Sequence, residues 1–137
     1  MKFILFLLFG TISTSAISQS SVDFFNTADQ FMNRHCADGL VDYNTARNDS
    51  TLPLLIEHLA SNEIPKGKEK AYLINAYNLF VINKVSELYP IDSPIDYSEF
   101  FIGKTIVLNG EKTSLDHLEN KVLRKNYTDP RMHFVLV

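Results

Sequence analysis

Apolar positions recur at helical spacing through most of this chain and turn to strand-like runs near its end. Phe24, Ala28, Phe31 and Met32 fall on one face. They predict a first helix capped by Ser20 or Ser21, with Asp23 beside its positive end. It should end near His35, with Gly39 as a stop signal. Gly39 to Tyr43 reads as a short extended piece in which Asp42 is a surface cap. Thr51 opens a second helix that tolerates Pro53 in its first turn. Leu54, Leu55, His58 and Leu59 follow, and His58 reads there as an ordinary boundary histidine.

The third helix, about Glu69 to Leu88, is the longest. It reads EKAYLINAYNLFVINKVSEL, and its middle is apolar around almost the whole circumference. That pattern predicts a central, buried helix. Tyr89-Pro90 ends it, because the residue before proline avoids helical geometry. Ile106, Val107 and Leu108 are strand formers followed by Asn109-Gly110, the favoured two-residue hairpin turn, so Lys104–Thr113 should be a hairpin. Ser114 then caps a short helix with Leu115, Leu118 and Val122 as its buried stripe. Asp129-Pro130 turns the chain into an apolar run, Met132 to Val137, which reads as a last strand. The predicted class is α+β: a helical N-terminal half around the long buried helix, then a small antiparallel sheet made of the hairpin and the C-terminal strand. That strand reaches Val137 without a turn or a neighbour after it, so the sheet is expected to be incomplete and the chain to continue in a longer protein.

The first eighteen residues change the picture of where the chain resides. Lys2, the apolar run Phe3 to Phe9, and the small residues Ala16 and Ser18 before Gln19 form a secretory signal pattern. The run is too short to span a bilayer. Residues 1–18 are thus expected to be a signal peptide and 19–137 a single domain lacking its C-terminal part, secreted or periplasmic, with no membrane attachment after cleavage. Cleavage removes one lysine, making the chain slightly more acidic than the full-length net charge of −3. Mild acidity without a basic stripe argues against a nucleic-acid partner. The single cysteine, Cys36, precludes an internal disulfide.

No complete catalytic constellation, phosphate loop or zinc pattern is present, and nothing calls for a cofactor or metal. His35, His58, His117 and His133 are scattered, and His117 and Glu119 do not share a helix face. Asn75 and Asn78 lie inside the apolar run of the long helix, so both amides should have partners. They either tie loop backbone to the core or line a cleft, and Tyr77 either adds a hydroxyl to that cleft or is simply core. His133 lies in the last apolar run, on the side of the expected strand shared with Val135 and Val137. It is either a hydrogen-bonded structural histidine or a base, with Glu119 or Asp116 to orient it. Cys36 reads as an inert thiol, since activation needs an electropositive surrounding.

These segments together resemble the family called domain of unknown function 547. The resemblance runs from GLVDY at Gly39 through AYLINAYNLFVINKVSELYP and VLNGEKTSLDHLENKVLR to DPRMHFVLV. Asn120 departs from it, standing where a histidine is expected after the glutamate. The resemblance implies that the final HF-x-LV run leads into a cysteine-bearing segment. Two functions follow as expectations. The chain is part of a cysteine-dependent hydrolase or acyl-transfer enzyme acting on a peptide or amide substrate, with His133 as base and Glu119 or Asn78 orienting or stabilising. The alternative is a non-catalytic cell-envelope binding or scaffold module.

Overall fold

Asp23 starts the first helix, α1 (Phe24–His35), by accepting a hydrogen bond from the Asn26 N–H. The computed structural model describes residues 23–136, apart from the side chains of His133 and Phe134. The expected signal peptide over 1–18 and the expected caps Ser20 and Ser21 lie outside the described residues. Phe24, Ala28 and Phe31 are buried as their spacing predicts.

Gly39 does not merely stop α1. With Asp38 it forms a tight turn, φ 53° and 77°, between two short strands, β1 (Cys36–Ala37) and β2 (Leu40–Val41). Positive φ at both central residues is what a two-residue hairpin of the right twist requires. Asp42 is a cap, accepting from the Thr45 N–H at the start of α2 (Tyr43–Ala46). Helix α3 (Thr51–Ser61) is opened by Asp49 rather than by Thr51, since Asp49 Oδ1 accepts the Thr51 N–H at 2.8 Å.

Helix α4 (Glu69–Leu88) has the predicted bounds and is buried from Ala76 to Ile82 without interruption. Helices α2 and α3 pack against it. After α4 come a short 3-10 turn (Pro94–Asp96) and α5 (Glu99–Ile102). Lys84 of α4 holds this region by bonding the Phe100 carbonyl and, at 3.0 Å, the Thr105 hydroxyl.

The predicted hairpin is present as β3 (Ile106–Leu108) and β4 (Glu111–Thr113), with Asn109 and Gly110 at φ 49° and 78°. Its tip is anchored: the Asn109 and Gly110 N–H groups donate to the Leu59 and Ala60 carbonyls at 2.9 and 2.7 Å. Those are last-turn carbonyls of α3 that have no partner within their own helix. Ser114 caps the next helix by accepting the His117 N–H.

The architecture is α+β, with two small antiparallel ribbons. The C-terminal strand expected over Met132–Val137 is not formed among the described residues of that run. Met132–Val135 is instead a helical turn, α7, following α6 (Arg124–Asn126). Asp129 explains the difference. Its carboxylate accepts the Arg131 N–H and its carbonyl accepts the Met132 N–H, which folds the chain over Pro130 into a helical start. Met132 is buried and Leu136 half-buried, a four-residue spacing, whereas Val135 between them is exposed. The Val135 carbonyl finds its partner in Asn78 rather than in a neighbouring strand.

Asn78 is buried, and its amide donates to the Val135 carbonyl at 2.7 Å, whereas the Asn75 amide donates to the Ala71 carbonyl of its own helix. Asn78→Leu therefore removes the tie between α4 and α7 and lowers stability by about 1–3 kcal/mol in urea unfolding. Asn75→Leu leaves the midpoint nearly unchanged. Equal, small effects of both substitutions would contradict this assignment.

Candidate functional site

The helix after Ser114 changes its winding. From His117 to Leu123 it is a π-helix, and the Arg124 N–H bonds the Glu119 carbonyl five residues back. One extra residue per turn moves the buried stripe, so Leu123 is buried where Val122 was expected. The same winding aligns Glu119 and Arg124. Arg124 donates to Glu119 Oε1 from Nε at 3.0 Å and from Nη2 at 2.6 Å. The Tyr77 hydroxyl, from α4, donates to Glu119 Oε2 at 2.8 Å. Both carboxylate oxygens are thus engaged. Burial, reinforced by the hydrogen bond and the charge of Glu119, pushes the Tyr77 phenol well above its ordinary value, so it remains a donor.

Two predicted residues, Tyr77 and Glu119, are therefore brought into contact from elements 42 residues apart. Asn78, next to Tyr77, holds the backbone of α7, on which His133 lies. Asn75 is not part of this group. Asp116, the other residue considered as an orienting group, bonds Asn120 at 2.9 Å on the exposed side. The Asn120 amide is thus spent on the helix surface.

Arg124 also borders an open cleft of about 320 Å³, lined further by Tyr127, Asp129, Pro130 and Met132. Asp129 holds Lys70 of α4 at 2.6 Å and Arg131 at 2.9 Å. Hydrogen bonds from Arg131 and Lys70 keep its carboxyl well below the usual range. The Asp129-Pro130 pair signals a turn in the sequence, and nothing there singles out Arg124. Their partners are remote or set by π winding, so no simple spacing signals them.

A second polar cluster joins α1, α2 and α3. His35 is buried, with Nδ1 3.0 Å from the Thr45 hydroxyl and Nε2 2.8 Å from Asp49 Oδ2. Arg34 reaches the same carboxylate oxygen. Burial opposes ionisation of Asp49, but hydrogen bonds from His35, Thr51 and Arg34 outweigh it and hold the carboxyl well below its ordinary value. Cys36 takes no part: burial pushes its thiol up, and its Sγ lies 3.7 Å from Met32 Sδ. Among the described residues no group of three or more His, Cys, Asp and Glu side chains is placed to hold a metal ion. No helix among them is long and apolar enough to cross a membrane.

A family model described as a protein of unknown function, DUF547, matches residues 61–137. The chain belongs to this family. The match covers the INAYN run, the Asn109-Gly110 turn, the π-helical segment and α7, while GLVDY precedes it. No curated protein and no solved structure matches the chain.

Two measurements test these clusters. Tyr77→Phe and Glu119→Gln should each destabilise the fold, with a coupling of about 1–2 kcal/mol in a double-mutant cycle. Additive effects would show that the contact carries no energy. Because the folded-state value of Asp49 is depressed, its contribution is present above the unfolded carboxyl range near pH 4 and is lost as pH falls below it. Asp49→Asn should therefore flatten the loss of stability between about pH 5 and pH 3. Wild-type and variant curves that stay parallel there would contradict it.

Proposed function

We propose, on the premise of that family membership, that the chain is part of an exported cysteine-dependent hydrolase or acyl-transfer enzyme acting on a peptide or amide bond. The observation that carries the reading is the Arg124–Glu119–Tyr77 relay beside the Asn78–Val135 tie. A half-buried carboxylate held from both sides, on a π-helical segment, is a costly arrangement of the kind found at functional sites. The relay fixes the π-helix, and Asn78 fixes α7, the turn that includes His133. In this reading His133 is the base, and Glu119 and Asn78 act by positioning. The nucleophilic thiol comes from the cysteine segment that the family resemblance implies after Val137, because Cys36 lacks an activating surrounding. Export is supported by Lys2, the Phe3–Phe9 run and the Ala16/Ser18 pattern. The mature protein is secreted or periplasmic and needs no nucleic acid, metal or cofactor.

A second reading, a non-catalytic binding or scaffold module of the cell envelope, is favoured by the mutual satisfaction of the relay. Both Glu119 oxygens and the Tyr77 hydroxyl find partners within the fold, as in a structural clamp.

Thiol labelling of the full-length protein separates the two. An activated thiol should react with iodoacetamide near neutral pH, and His133→Ala should slow that reaction by roughly tenfold or more. Equal rates with and without His133 would favour the scaffold reading. Mass spectrometry of the exported protein should find Gln19 at the N-terminus; an intact Met1 would reject export by this signal.

A further inference from the structure

A second cleft, unrelated to the relay, opens where the start of α1 and the end of α3 meet α4. It encloses about 500 Å³, and its walls include Phe24, Phe25, His58 and Tyr72. The rings pack closely: Phe24 lies 4.5 Å from Tyr72 and 5.1 Å from His58, where the two rings are stacked. Phe25 lies edge-on to Tyr72 at 6.2 Å. Asp23 and Glu63 border the same cleft and are exposed, and neither is in an ion pair among the described residues. Burial depresses protonation of His58, which favours a neutral ring in this wall.

Two features point to a ligand. Tyr72 is 1% exposed, and its hydroxyl has no hydrogen-bond partner among the described residues. A buried hydroxyl without a partner is costly and uncommon in a stable fold. The second is Lys68, whose ammonium lies 5.2 Å above the Phe25 ring. The aromatic face at this cleft already attracts a cation.

We propose that this cleft binds the amino-terminal end of a peptide. The α-ammonium meets the Asp23 and Glu63 carboxylates and the aromatic faces. The adjacent carbonyl accepts the Tyr72 hydroxyl, and the first side chain lies against Phe24. Lys68 competes for the Phe25 face and leaves it when the ligand enters. The site uses none of the relay residues and stands independently of the thiol reading.

The test is calorimetric titration of the full-length protein with L-phenylalaninamide and with its N-acetyl derivative. The free amine should bind saturably, and acetylation should weaken it by roughly tenfold, since it removes the cation. Tyr72→Phe should weaken binding several-fold while keeping or raising the melting temperature, because it deletes an unpartnered hydroxyl. Glu63→Gln, at the exposed rim, should weaken binding without affecting the fold. Lys68→Ala should tighten it. Equal affinity for the two probes, unchanged affinity in Tyr72→Phe, or no saturable binding to wild type and Lys68→Ala would each overturn the proposal.

Discussion

Helix α4 is buried around its circumference, and its polar side chains must therefore find partners in the elements packed against it. Nearly everything downstream follows from that constraint. Lys70 reaches Asp129, Tyr77 reaches Glu119, Asn78 reaches the Val135 carbonyl, and Lys84 reaches Phe100 and Thr105. Each bond leaves α4 for a different part of the C-terminal half. The apolar contacts of α4 supply most of the driving force for collapse, but they are non-directional. The four polar ties distinguish one arrangement of α5, the hairpin, the π-helix and α7 from other packings of similar apolar area.

The π winding of His117–Leu123 is the local adjustment that lets one of these ties close. In an α-helix, residues five apart point to different faces. Here the wider turn aligns Glu119 with Arg124 and keeps Leu118 and Leu123 in the core. The poorer backbone geometry is offset by a charge-assisted pair from Arg124 and a donor from Tyr77. Both oxygens of Glu119 are occupied, so the carboxylate holds the π-helix against α4.

Legibility in the sequence tracked the range of the interaction. The bounds of α4, the Asn109-Gly110 turn, the Ser114 cap and the Asp42 cap were readable, because each depends on residues a few positions apart. The Asn78 partner was anticipated only in kind: a buried amide needs one, but spacing does not say which. The π-helix, the Lys70–Asp129 pair and the His35–Asp49 contact had no local signature. The last apolar run was misread for a physical reason. A continuous apolar run of six residues, broken only by His133, is compatible with strand or helix, and the choice was decided by the Asp129 carboxylate and carbonyl bonding forward over Pro130. The DUF547 match, over residues 61–137, takes in α4, the Asn109-Gly110 turn, the π-helix and the last apolar run as one pattern.

Tyr72 is one of two residues of α4, with Ser86, whose buried hydroxyls find no partner among the described residues. It lies five residues before Tyr77, whose hydroxyl, like the Asn78 amide, is satisfied from outside the helix. A phenylalanine would fill the same volume without the desolvation cost, so packing alone gives no reason for the oxygen. Its neighbours sharpen the point. The Phe24, Phe25 and His58 rings and the Asp23 and Glu63 carboxylates surround a cleft of about 500 Å³, large enough to admit a molecule that brings its own acceptor. The middle of α4 is thus closed by the Tyr77 and Asn78 ties, while Tyr72 keeps a donor beneath an open aromatic surface.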